Sequence, residues 1–225
     1  MRSLMLALVS LCAPVFAMTL NDLSIGTHVT GPKLAPKDLK GKVVFVVYWG
    51  THCGYCLAEL PNWAAAYKKH AGEGFEIIGL ECQGSTAAEI STLTKARNAE
   101  FETTLNGNLK GANVTGIPHG FLFGPDGKLI QDGGMRGPEF EQKVAEALKQ
   151  YAAEIAAKAR DAAAKAAAAS VVTAEKQCKS WLSLADAYIT NGNPAGAKEY
   201  LNKIVDKYGE TAWAAEAKKR LETIK

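Results

Sequence analysis

Cys53 and Cys56 stand three positions apart in His52-Cys53-Gly54-Tyr55-Cys56, directly after the apolar run Val43 to Trp49. Two thiols at that spacing suit three chemistries. They can exchange disulfides, the first sulfur attacking and the second resolving. They can give thiolates to Cu(I) or Zn, with His52 or His119 adding imidazole. They can form a static crosslink. The position of His52 matters to the first chemistry, because an imidazolium beside a thiolate stabilises it and makes it a better leaving group.

The elements around the pair must supply the geometry. Val43-Val44-Phe45-Val46-Val47-Tyr48-Trp49 has strand length and no polar alternation, so it reads as a strand buried on both faces. From Cys53 onward the composition is helical, with Leu57, Leu60, Trp63, Ala64 and Tyr67 near one stripe. Pro61 is expected to kink that helix, and Gly72 and Gly74 to end it. Cys53 then falls at a helix N-terminus, where unpaired N–H groups lower a thiol pKa from about 8.5 into a range of roughly 3.5–7.5. Cys56 lies one turn inside on the same side, which suits a sheltered resolving sulfur.

Phe75 to Leu80 reads as the next strand. A helix follows, with Ser85 as its expected N-cap and Glu89 as a first-turn acid. Phe101 to Leu105 is a third strand, and Phe121–Phe123 and Lys128–Ile130 form a hairpin around Gly124-Pro125-Asp126-Gly127. A helix begins near Pro138. This order implies an α/β fold with a mixed sheet and flanking helices.

No strand candidate follows Pro138. "YAAEIAAKARDAAAKAAAAS" has high helix propensity and a face made mostly of methyl groups, so it reads as a long connecting helix. Trp181, Leu184, Ala185 and Tyr188 then share a helix face, Asn191-Gly192-Asn193-Pro194 makes a turn, and Ala197, Leu201 and Ile204 line a second helix. That spacing resembles a tetratricopeptide repeat, with Gly209 in place of the usual terminal Pro and a capping helix containing Trp213 and Leu221. One repeat buries little core alone. The expected division is 1–17, 18–137, 138–176 for the connecting helix, and 177–225 for the all-α repeat-like part.

The motif set as a whole resembles the thioredoxin-like thiol:disulfide oxidoreductases of the TlpA type, over about residues 20 to 150. The resemblance rests on the apolar strand ending in Tyr48-Trp49, Cys53 and Cys56, Glu59 three positions later, Pro61, the Ile117-Pro118 bond before a strand, and the Pro-Asp-Gly-Lys hairpin. It implies a thioredoxin fold and a Cys-Gly-Tyr-Cys dithiol, in which Cys53 attacks, Cys56 resolves and Gly54 and Tyr55 tune the potential. It implies a cis bond at Pro118, whose loop offers Ile117 backbone groups to an extended substrate strand. Trp49 and His52 complete the expected site. Thioredoxins proper keep a buried Asp where this chain has Val47, so Glu59 becomes the candidate proton acceptor for Cys56. The family keeps Trp where this chain has His52. The expected cofactor is none beyond the Cys53–Cys56 disulfide, and no metal. The implied partners are protein thiols and disulfides, with a membrane thiol-transfer protein as electron donor; the helical tail is expected to bind a protein partner. The Thr-x-x-Cys pattern of peroxiredoxins is not met, since Thr51 is one place too close to Cys53. The alternatives are an interaction or scaffold protein with a static disulfide, or a copper-binding thioredoxin-like protein.

Composition and ends add bounds. The chain has 225 residues and a formal net charge of +3, without a Lys/Arg patch interleaved with aromatics, so nucleic-acid binding is not expected. Arg2, the run Leu4–Leu11 and Val15-Phe16-Ala17 read as a secretory signal cut after Ala17, which predicts an exported protein, periplasmic or extracellular. Export would remove Cys12 and leave Cys82 and Cys178 as two further thiols, either inert or joined in a crosslink between the two parts of the chain.

Overall fold

The computed structural model describes residues 18–133 and 136–224. The expected signal segment, 1–17, lies outside them. In chain order the first part contains β1 (Leu23–Ser24), β2 (Thr27–Thr30), β3 (Val43–Trp49), α1 (Gly54–His70), β4 (Phe75–Glu81), α2 (Ala87–Ala96), β5 (Glu102–Leu105), β6 (Asn108–Leu109), β7 (His119–Phe123) and β8 (Leu129–Asp132). A six-stranded sheet runs β2-β5-β4-β3-β7-β8, and β1 pairs with β6 apart from it. β3 is parallel to β4 and β4 to β5, while β2, β7 and β8 pair antiparallel. This is the mixed sheet of a thioredoxin fold.

The unbroken apolar run of β3 follows from its place at the centre. Every residue of the strand is buried. Val43, Phe45, Val47 and Trp49 point to one face, against Leu60 and Trp63 of α1 and Ile90 of α2. Val44, Val46 and Tyr48 point to the other, with Ile78, Leu80, Phe121 and Phe123. Both α1 and α2 contribute to the first cluster. The physical reason is the strand order: β3 to β4 and β4 to β5 step the same way, and right-handed crossovers then place both helices on one face. The opposite face is covered by Leu23, Ile25, Leu39 and Leu109 from short segments and loops.

Helix α1 contains Pro61 and continues beyond it as one element. One local expectation changes. The N-cap of α2 is Thr86, whose hydroxyl accepts from the Glu89 N–H while the Glu89 carboxylate accepts from the Thr86 N–H. Ser85 is drawn away because its hydroxyl donates to Glu81 at 2.8 Å.

The chain divides into two compact units, the first ending at Lys158. Helix α3 runs without interruption from Gly137 to Thr190, across the position 176/177 where the sequence placed a boundary. Its first turns belong to the first unit, where Phe140 stacks on Phe45 at 4.6 Å between ring centroids. Residues 161–170 are helical and exposed throughout, as expected for a stretch held by propensity rather than packing. The second unit adds α4 (Pro194–Tyr208) and α5 (Ala212–Thr223). Its core comprises Cys178, Leu182, Ala185, Ala197, Leu201, Ile204 and Ala217. Of the expected face, Ala185 is buried and Trp181 and Tyr188 pack against this core, whereas Leu184 is 40% exposed and Cys178 and Leu182 join the core in addition. Among the described residues, no helix is long and apolar enough to cross a membrane.

Candidate active site

Strand β3 ends at Trp49, and four residues later Cys53 caps helix α1 with extended backbone. The Cys56 N–H donates to the Cys53 sulfur at 3.1 Å. This bond answers one of the unpaired amides that open a helix. The two cysteines form a disulfide, with Cα atoms 5.2 Å apart. Cys56 is fully buried and Cys53 is 9% exposed, so the sulfur at the cap is the more accessible of the two.

The Ile117–Pro118 peptide bond is cis. Antiparallel pairing of Tyr48 with His119 places the loop before β7 beside the end of β3. It brings the Ile117 carbonyl oxygen to 3.5 Å from the Cys53 sulfur. The sulfur of the disulfide has no proton; in the reduced protein the Cys53 thiol can donate to that oxygen. Residues 64 positions apart thus meet at the reactive atom.

The other expected site residues divide. Trp49 is fully buried, and its indole N–H has no partner among the described residues. Gly54 faces open space, so its lack of a side chain answers no steric need there. Tyr55 is 73% exposed, with the Arg136 guanidinium 5.9 Å from its ring centroid. Glu59 is half-buried, and its Oε2 accepts from the Gly137 N–H at 2.8 Å and the Asn62 amide at 3.1 Å. The bond from Gly137 ties α1 to the start of α3. His119 bonds Asp132 through Nε2 at 2.7 Å and lies against the Phe121 ring.

His52 is exposed, and its backbone N–H donates to Gln83 Oε1 at 2.8 Å. The Gln83 side chain lies over Gly50, where a Cβ would overlap it. Thr51 is buried, with its hydroxyl 3.1 Å from His52 Nδ1 and 2.6 Å from Ser85 Oγ. The β4–α2 loop therefore braces the loop that carries Cys53. Sequence reasoning missed Thr51, Glu81, Gln83 and Ser85, because their relevance arises only from the parallel pairing of Trp49 with Glu81.

Cys82 and Cys178 are both free thiols, the first of the two alternatives for them. Cys178 is consumed as a small apolar residue in the core of the second unit. Burial pushes its thiol up, with Lys207 opposing. The Cys82 sulfur donates to the Trp49 carbonyl at 3.3 Å, and desolvation followed by the Glu81 charge pushes its thiol up. Among the described residues no three His, Cys, Asp or Glu side chains are grouped to hold a metal.

With this geometry in place, comparison with known proteins assigns the chain. The AhpC/TSA family model matches residues 10–159. The chain belongs to that family. The thiol-disulfide oxidoreductase ResA of Bacillus thuringiensis subsp. konkukian is 32% identical over 127 residues, spanning 55% of this chain and 72% of that protein. ResA of Bacillus subtilis is 32% identical over 104 residues, spanning 45% and 58%. Among solved structures, the thioredoxin domain of a thiol-disulfide oxidoreductase from Bacteroides vulgatus aligns with a TM-score of 0.47 at 22% identity, covering 55% of this chain and 91% of that one. StoA of Bacillus subtilis aligns at 0.45 and 18%, covering 53% and 94%. The chain is a thiol:disulfide oxidoreductase of the thioredoxin-fold redox enzymes, and Cys53–Cys56 is its Cys-x-x-Cys pair.

Proposed function

We propose that the protein is an exported thiol:disulfide oxidoreductase of the TlpA type that exchanges disulfides with protein substrates. One observation carries the direction of attack: Cys53 is the accessible sulfur at the helix cap, with Cys56 buried behind it. In the reduced protein the Cys53 thiolate attacks one sulfur of a substrate disulfide. The substrate S–S bond breaks, a Cys53 mixed disulfide forms, and one substrate thiolate leaves. The Cys56 thiolate then attacks the Cys53 sulfur, closing the disulfide and releasing the second substrate thiolate. Two electrons pass to the substrate, and the reverse sequence oxidises a dithiol. Glu59, one turn beyond Cys56, takes up the proton that Cys56 releases.

Extended substrate approaches along the Ile117–Pro118 loop, where the Ile117 carbonyl already faces Cys53. Tyr55 and Gly54, exposed beside Cys53, meet an approaching protein surface. No cofactor beyond the disulfide is required. Residues 18–137 carry the chemistry, and the leader at residues 1–17 directs export. A membrane thiol-transfer protein renews the dithiol when the enzyme acts as a reductase. The tetratricopeptide-like helices bind a protein partner.

Insulin reduction, followed as turbidity with dithiothreitol as electron source, tests this reading against a Cys53→Ser control. The wild type should shorten the lag and the control should not. A wild type as inert as the control would defeat it.

A further inference from the structure

Two hydroxyls, those of Thr51 and Ser85, link His52, the residue before the nucleophile, to a buried carboxylate. Glu81, the last residue of β4, is 4% exposed. It accepts from the Gln83 N–H at 2.9 Å, from the Ser85 N–H at 3.1 Å and from the Ser85 hydroxyl at 2.8 Å. Ser85 Oγ lies 2.6 Å from Thr51 Oγ1, and Thr51 Oγ1 lies 3.1 Å from His52 Nδ1.

The direction of every proton in this chain follows from counting donors. A hydroxyl has one proton to give and two lone pairs. Ser85 gives its proton to Glu81, so at the Thr51–Ser85 contact the proton must come from Thr51. Otherwise two oxygens would face each other at 2.6 Å with lone pairs only. Thr51 then has no proton left for His52, and Nδ1 must be the donor. A neutral imidazole with Nδ1–H has its lone pair on Nε2.

We propose that the Glu81–Ser85–Thr51 chain fixes the neutral His52 ring in the Nδ1–H form and leaves the lone pair of Nε2 free, at the exposed residue next in sequence to Cys53. Its bearing on exchange rests on the function proposed above. Thr51, Ser85 and Glu81 act as positioning residues for the imidazole. The nearby Glu89 carboxylate does not compete for the ring through Oε2, which is occupied by the Thr86 N–H and hydroxyl.

The test is long-range proton–nitrogen correlation of the imidazoles in the full-length protein, at a pH where His52 is neutral. His52→Gln assigns the signal. Wild type should show Nδ1–H. Thr51→Val and Ser85→Ala, which break the chain at different links, should each move His52 to Nε2–H, and Thr51→Ser should retain Nδ1–H. Nε2–H in the wild type, or Nδ1–H retained in both chain-breaking variants, overturns the proposal whether or not insulin is reduced. An inactive wild type with the expected tautomer would instead defeat the proposed function and leave the chain standing.

Discussion

Reduction should leave Cys53 the more acidic thiol, by an amount that the geometry sets. The perturbation is Cys56→Ser, which isolates Cys53 yet keeps the N–H of residue 56 that donates to its sulfur at 3.1 Å. A hydrogen bond to a charged acceptor contributes about 1.5–3 kcal/mol. A partly buried charge at a helix N-terminus gains up to about 2 kcal/mol more. Two effects oppose. The thiol can donate to the Ile117 oxygen, which favours the protonated form by about 1 kcal/mol. The low exposure of the sulfur adds a desolvation cost. The two favourable contributions outweigh the opposing hydrogen bond, so the midpoint is lowered.

This predicts a Cys53 midpoint below that of an ordinary thiol, about 8.5. Thiolate absorbance near 240 nm, titrated in the reduced variant, reads it directly. Alkylation rate is a weaker measure. Nucleophilicity falls with pKa at a Brønsted slope of about 0.4–0.5, so most of the gain in thiolate fraction at neutral pH is offset. A midpoint at or above 8.5 would refute the helix-cap reasoning, whatever the activity.

Two further predictions concern groups outside the dithiol. Tyr67, whose hydroxyl donates to Glu76, is pushed up to about 12 by burial and then by the Glu76 charge. The neutral phenol therefore contributes stability in full below pH ~10, lost as pH rises through about 12; Tyr67→Phe should remove one tyrosine ionising near pH 12 at 295 nm and about 1–2 kcal/mol of that alkaline dependence, after screening. In the oxidised protein, a thiol reagent should modify Cys82 with a pH onset above that of a free thiol, and Cys178 only on unfolding, with each site read by mass. Prompt native labelling of Cys178 would contradict its burial.

Much of this was legible in sequence because it is local. A seven-residue β-branched and aromatic run is stable only where both faces are covered, so Val43–Trp49 announced the central strand. The spacing of Cys53 and Cys56 on a nascent helix determined that both sulfurs lie at its first turn. Helix propensity alone carried the Ala-rich stretch. Near neighbours also misled. Ser85 and Thr86 are equally good caps on local grounds, and the choice falls to Thr86 because Glu81, across the loop, takes the Ser85 hydroxyl. Leu184 looked like core on period alone; the partner helices bury Leu182 beside Ala185 and leave Leu184 out.

The tertiary structure decided what meets what. Composition and period carry no information on which loops the sheet brings together. Antiparallel pairing of β7 with β3 delivered the Ile117 carbonyl to Cys53, and parallel pairing of β4 with β3 delivered Glu81, Gln83 and Ser85 to the loop before it. Residue types and spacing determined that two cysteines could exchange disulfides. Long-range strand register decided which carbonyl, hydroxyls and carboxylate surround them, because hydrogen bonds act over about 3 Å and only the folded sheet brings such distant residues that close.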